Sequence, residues 1–116
     1  MKLKDIAVLL NAKTVCGKDN MDIDIQCACG SDMMSEVLAF TKHKAVLLTG
    51  LNNIHVIRTA EMLDIQCIIF VRGKMPLDEV VEMAQEAEIV LLSTDKPMFT
   101  ACGILYENGI KGGMRA

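Results

Sequence analysis

Tryptophan is absent, aromatic residues make up only 3% of the 116 residues, and there are two prolines. Any core built from this chain is therefore aliphatic. With 52% hydrophobic residues there is enough apolar side chain for one substantial core. No apolar run reaches the ~20 residues that cross a bilayer, so no membrane span is expected. The opening MKLKDIAVLL is basic and then apolar, but it is short, broken by Asp5 and lacks a small-residue cleavage site. A cytoplasmic location follows as the expectation. Long basic stretches are missing too, and the net charge is −3, which argues against a nucleic-acid partner held through phosphates.

Local catalytic signatures are equally scarce. There is no Walker GxxxxGK[ST] loop, no GxGxxG, no GxSxG elbow and no HExxH. His43 and His55 have no spaced partner and read as surface residues. Glu79, Glu82 and Glu86 fall on a helix face opposite an apolar stripe, which is a solvated face and not an acid–base pair. Asp32 and Glu36 would share a helix face near Gly30 and Ser31, but capping accounts for Asp32. No enzyme activity is expected.

Present in unusual number are nine methionines and five cysteines. Methionine fills irregular core gaps and also suits surfaces that repack against a partner; core filling is the ordinary use. An odd number of cysteines in a chain that needs no staples reads as free thiols. Cys27 and Cys29 form a C-x-C pair on one face of a strand. Cys16, Cys67 and Cys102 are scattered, without the spacing of a zinc or iron–sulfur site. Metal or cluster binding through Cys27 and Cys29 stands as the alternative to buried thiols and no cofactor.

Periodicity gives the organisation. Leu3, Ile6, Leu9 and Leu10 have helical spacing up to Asn11, and Lys13–Cys16 reads as a short strand closed by Gly17. Residues 18–24 are a polar loop. Then strand, short loop and helix recur four times. The strands are Ile25–Cys29, Ala45–Thr49, Ile65–Val71 and Ile89–Leu92, the last three almost wholly apolar, as in a parallel sheet covered on both faces. The helices begin at Ser31 or Asp32, at Asn52 or Asn53, at Pro76, and at Asp95 or Pro97, the last carrying Phe99, Cys102 and Leu105 inward. Residues 42–44 form a basic connector, and 111–116 a frayed, Gly-rich tail. The fold class is α/β, one domain over 1–116, with a mostly parallel sheet of four to five strands and helices on both faces.

Right-handed crossovers bring the strand-exit loops to one edge of the sheet, where open α/β sheets bind ligands. The candidate ligand residues are those of the loops: Gly30 and Ser31; Thr49, Gly50, Asn52 and Asn53; Arg72, Gly73 and Lys74; Ser93 and Thr94. Backbone N–H groups near Gly50 and Gly30 would hold a small anion or nucleotide, and Arg72 or Lys74 would supply charge.

The segments ACGSDMMSEVLAF (28–40), VLLTGLNNIHVIRTAEMLDI (46–65), CIIFVRGKMPLDEVVEMAQEAEIVLLST (67–94) and DKPMFTACGILYENG (95–109) resemble the DRTGG-domain family over almost the whole chain. The resemblance is to its small stand-alone members, some of which accompany hydrogenase and redox-kinase genes under the label "iron-sulfur binding hydrogenase". It implies a fold similar to the N-terminal domain of HPr kinase/phosphorylase, a homodimer, and a regulatory or structural role, with a hydrogenase or kinase as candidate partner. Where relatives carry Gly-Asp-Arg this chain has Gly50-Leu51-Asn52, and in place of Thr-Gly-Gly it has Val71-Arg72-Gly73, so only the glycines transfer.

Overall fold

The computed structural model describes residues 1–41 and 44–112. His43, most of the basic connector and residues 113–116 of the expected tail lie outside the described residues.

Helix α1 (Leu3–Leu9) leads into strand β1 (Lys13–Cys16). A 3-10 turn at Lys18–Asn20 interrupts the polar loop. Four strand–helix units follow: β2 (Cys27–Gly30) and α2 (Met34–Phe40), β3 (Val46–Thr49) and α3 (Ile54–Met62), β4 (Cys67–Phe70) and α4 (Asp78–Glu86), β5 (Val90–Ser93) and α5 (Met98–Glu107). Lys111–Gly112 closes the chain's path as β6. The sheet has six strands in the order β1-β5-β4-β3-β2-β6, one or two more than the four to five expected. All neighbours are parallel except β1, which runs antiparallel to β5 at one edge. Lys111 and Gly112, expected to be frayed, instead pair with Cys27 and Ala28 at the other edge. Two residues with no apolar pattern leave no strand signal of their own; the return of α5 across the sheet puts them there.

The alternation along the strands sorts the core into two layers. Val46 and Leu48, Cys67 and Ile69, and Val90 and Leu92 face α1 and α5, meeting Leu3, Ile6, Leu10, Ala101 and Leu105. Leu47, Ile68, Phe70 and Leu91 face the other way, onto Val37 of α2, Val56, Ile57 and Ala60 of α3, and Val80 and Ala84 of α4. The sheet steps β2 to β5 in one direction, so successive right-handed crossovers keep α2, α3 and α4 on one face. Helix α5 crosses on the other. One inward assignment and one strand boundary change. Phe99 is 89% exposed, because the buried stripe of α5 runs Met98, Ala101, Cys102, Leu105 and Phe99 sits one residue off it. Strand β2 starts at Cys27, since the Ile25 N–H donates to the Met1 carbonyl at 2.8 Å and takes no place in the ladder. Among the methionines, Met1, Met21, Met34, Met83 and Met98 pack on the core, whereas Met33, Met62 and Met75 are exposed.

Helix ends use left-handed residues that are mostly not glycine: Asn11 (φ 49°), Asp64 (φ 53°) and Glu88 (φ 59°), besides Gly109 (φ 97°). A side chain in that conformation costs roughly 1–2 kcal/mol. Glu88 is exposed and makes no ion pair among the described residues. Glu88→Gly is therefore expected to stabilise the fold by about 0.5–1 kcal/mol, the relief of strain exceeding glycine's extra unfolded-state freedom. Urea denaturation, with a higher midpoint at unchanged slope, checks this.

Candidate functional site

At the carboxyl edge of the sheet the exits of β2, β3, β4 and β5 lie side by side. Helix α4 packs on one face and α5 on the other, so the loops leaving β4 and β5 part company. That is the topological switch point of the sheet, where a crevice forms in open α/β folds.

Asp32 is the centre of this edge, and in a role other than the capping that local sequence suggested. Helix α2 begins only at Met34, with Met33 as its N-cap and no side-chain cap bond. The Asp32 carboxylate reaches across instead. Its Oδ1 accepts the Gly50 N–H at 2.6 Å and the Thr49 hydroxyl at 3.1 Å. Its Oδ2 lies 3.7 Å from Arg72 Nη2. Three consecutive exits thus converge on one carboxylate. The proposed helix-face pairing of Asp32 with Glu36 falls away, since Asp32 precedes the helix.

The Gly50 backbone lies against the Arg72 side chain. A Cβ there would collide with Arg72 Nη2 and sit 3.0 Å from Cζ, so the guanidinium lies directly over the Gly50 backbone. Arg72 itself has φ 57°, followed by Gly73 at φ 69°. The Lys74 N–H donates to the Val71 carbonyl at 3.1 Å, closing a tight turn of the kind that normally takes Asn-Gly at its centre. An arginine held in the left-handed region at a strand exit is local strain at a candidate site.

The other expected residues are mainly spent on tying the loops together. Ser31 Oγ accepts the Met33 N–H at 3.0 Å. Thr49 Oγ1 also accepts the Leu51 N–H at 3.2 Å. Asn52 Nδ2 donates to the Met75 carbonyl at 3.0 Å, joining the β3 and β4 exits. Asn53 is the N-cap of α3, its Oδ1 accepting the His55 N–H at 3.1 Å, and His55 is exposed. Gly73 N–H donates to the Thr94 carbonyl at 2.9 Å. The Ser93 hydroxyl donates to the Lys74 carbonyl at 2.8 Å. The Thr94 hydroxyl is buried and donates to the Leu10 carbonyl at 2.7 Å. Gly30 is fixed by packing, because a Cβ would meet Cys102 Sγ at 2.7 Å and Met98 Sδ at 3.1 Å. What is left facing solvent with charge is Asp32, Arg72, Lys74 and Asp95.

Beside Arg72, a cavity of about 180 Å³ is lined by Asn11, Lys13, Gly73, Met75, Ser93 and Asp95. Lys13 enters because β1 is antiparallel, which brings its first residue opposite Ser93. A larger cavity of about 500 Å³ lies at the opposite, amino end of the strands. Glu61, Asp64 and Glu88 outnumber Lys44 on its wall, so it repels an anion. Exposed Met33, Met75, Leu77 and Phe99 stand on the loops and first helical turn around the carboxyl edge.

The cysteines do not converge. Cys29 packs on the layer of α2, α3 and α4 and accepts the Thr41 hydroxyl at 3.1 Å, while Cys102 packs in the layer of α1 and α5. Burial pushes the Cys102 thiol up, with Cys29 adding a smaller push. Burial also raises Cys16, and raises Cys67 far above the thiol range. Among the described residues, no group of three or more His, Cys, Asp or Glu side chains is placed to hold a metal ion. Cys27 and Cys29 are two ligands, and a metal or cluster on them would need further ligands from elsewhere. Nor is any helix among the described residues long and apolar enough to cross a membrane.

The sequence profile of the DRTGG domain matches residues 5–107. No curated protein sequence matches the chain. Among solved structures, it is similar to the CBS and DRTGG domains of the regulatory region of Clostridium perfringens pyrophosphatase, complexed with the activator diadenosine tetraphosphate. The TM-score is 0.71 at 18% identity, over 90% of this chain and 45% of that one, so the likeness is one of fold and spans less than half of that chain. Neither comparison supports the iron–sulfur hydrogenase label.

Proposed function

The chain belongs to the DRTGG-domain family, and from that membership we propose that it is a non-catalytic, cytoplasmic regulatory module that binds a small anionic metabolite or nucleotide at the carboxyl edge of its sheet and acts as a homodimer. One observation carries the reading. The Gly50 N–H, the Thr49 hydroxyl and the Arg72 guanidinium all point at one negatively charged group, the Asp32 carboxylate. A backbone N–H, a hydroxyl and a guanidinium are the donors from which protein sites for phosphate are built. Arg72 sits in a left-handed backbone conformation, φ 57°, at the centre of the tight turn that leaves β4. The pyrophosphatase neighbour, solved with a dinucleotide activator, supports a nucleotide as the first ligand class to try. Exposed Met33, Met75, Leu77 and Phe99 around the same edge support an apolar contact with a second copy that closes over the ligand.

Titration calorimetry of the full chain against ATP, AMP, diadenosine tetraphosphate and inorganic phosphate tests the reading. Saturable binding of at least one nucleotide, with a dimer mass by light scattering, is expected. A heat-silent panel refutes the ligand module and leaves a further alternative, a pure protein-interaction subunit, for which the same apolar rim is the surface. Iron and zinc analysis of anaerobically purified protein tests the cysteine alternative on the same sample.

A further inference from the structure

A site ready for an anion would leave its donors free. Here they are engaged: Asp32 Oδ1 accepts both Gly50 N–H and Thr49 Oγ1–H, and Oδ2 faces Arg72. The carboxylate and an incoming phosphoryl oxygen would compete for the same donors, and two anions held against the same few groups repel one another.

The residue is also positioned to leave. Its side chain is about half exposed, so water meets it as it moves out. Strand β2 is anchored through Gly30, and the Ser31 N–H still donates to the Leu48 carbonyl at 3.0 Å, so the sheet does not depend on Asp32. Downstream, Met33 caps α2 without any side-chain bond, and the α2 face carries exposed Leu38 and Phe40. Beside the Ser31–Leu48 backbone bond, the Asp32 side chain ties the β2–α2 loop to Thr49 and Gly50 of the β3 exit and to Arg72 of the β4 exit.

We propose that the seat formed by Thr49, Gly50 and Arg72 is a phosphoryl-group site that Asp32 fills in the free protein, and that a phosphorylated ligand binds by displacing the Asp32 carboxylate, releasing the β2–α2 loop. This rests on the ligand-binding reading above and adds its regulation. A tethered competitor excludes weak anions such as inorganic phosphate and admits ligands that bring further contacts, so it sets selectivity as well as state. When the seat is open only a fraction of the time, apparent affinity falls by that fraction. Met33 and the start of α2 move with the released loop, which is how occupancy reaches the surface.

The test compares wild type, Asp32→Ala and Asp32→Asn by calorimetry with ATP and with inorganic phosphate. Asp32→Ala is expected to bind ATP about tenfold more tightly than wild type, as when a seat ~10% open becomes fully open. Inorganic phosphate is expected to bind the variant measurably. Asp32→Asn, which keeps an acceptor but loses the charge, is expected to fall between, and it decides the matter if the alanine chain does not fold. In 15N spectra the Gly50 amide of wild type should shift on ATP addition, and the Asp32→Ala spectrum should already lack the carboxylate-bonded Gly50 position. Equal or weaker ATP binding by the variants overturns the displacement and makes Asp32 a ligand contact or a bystander, while the ligand module stands. Absence of binding in all three chains overturns both.

Discussion

Phe70→Ala is expected to remove about 3–5 kcal/mol of stability, the usual range for deleting a buried phenyl ring. Phe70 heads the largest fully buried side chains and has no exposed surface. It is the last residue of β4, paired in register with Thr49 on one side and Ser93 on the other. Its ring points into the layer shared with Leu47, Leu91, Val56, Ile57 and Val80, so truncation opens a cavity between the sheet and two helices that a parallel sheet cannot collapse to fill. In a chain with almost no other aromatic in the core, nothing nearby has the volume to compensate. Small domains have about 5–15 kcal/mol in all, so the variant should lose a large share of its denaturant midpoint. A loss below about 2 kcal/mol in urea denaturation would mean that the ring is not packed as described. The effect should also reach the site, because the Phe70 carbonyl accepts the Thr94 N–H at 2.9 Å and the next residues, Val71 and Arg72, form the tight turn.

The interior was legible in the sequence because its signal is local. Val46–Thr49, Cys67–Phe70 and Val90–Ser93 are apolar on both faces save the last residue or none, and each is followed by a turn and a helical stripe. Four strand–helix units, the left-handed Gly17 (φ 92°) and Asn53 as a cap all follow from short-range rules. The two edges follow from tertiary facts instead. Strand β6 exists because α5 crosses behind the sheet and delivers Lys111 and Gly112 beside β2. At the ligand edge the loops were identifiable but the central residue was not. Asp32 lies where a helix cap would lie, and its actual donor, Gly50 N–H, is 18 residues away across a strand and a helix. Conversely Thr94, an exit-loop hydroxyl by sequence, turns inward to the Leu10 carbonyl, a partner 84 residues distant. A polar residue's role in such loops is decided by which neighbouring exit its side chain can reach, and that distance is set by strand order.

Replacing Arg72 by glycine is expected to move stability and binding in opposite directions, and that divergence separates function from structure. Arg72 occupies φ 57°, where a side chain costs roughly 1–2 kcal/mol that glycine does not incur. Against this stands the ion pair with Asp32, at 3.7 Å between groups about half exposed, a contact of a kind that contributes about 0–1 kcal/mol. Glycine's unfolded-state freedom offsets a further few tenths of a kcal/mol. Arg72→Gly should therefore leave the fold as stable as wild type or about 0.5 kcal/mol more stable. The guanidinium is at the same time the cation that lies over Gly50 and faces the seat. Charge-assisted bonds to a phosphate contribute about 1.5–3 kcal/mol, so ATP affinity should fall roughly 10- to 100-fold. Arg72→Lys keeps the charge without the planar fork and should lose less affinity. If calorimetry instead finds ATP affinity unchanged in the glycine variant, or if the protein is clearly destabilised, the strain at Arg72 serves the fold and the anion seat does not lie there.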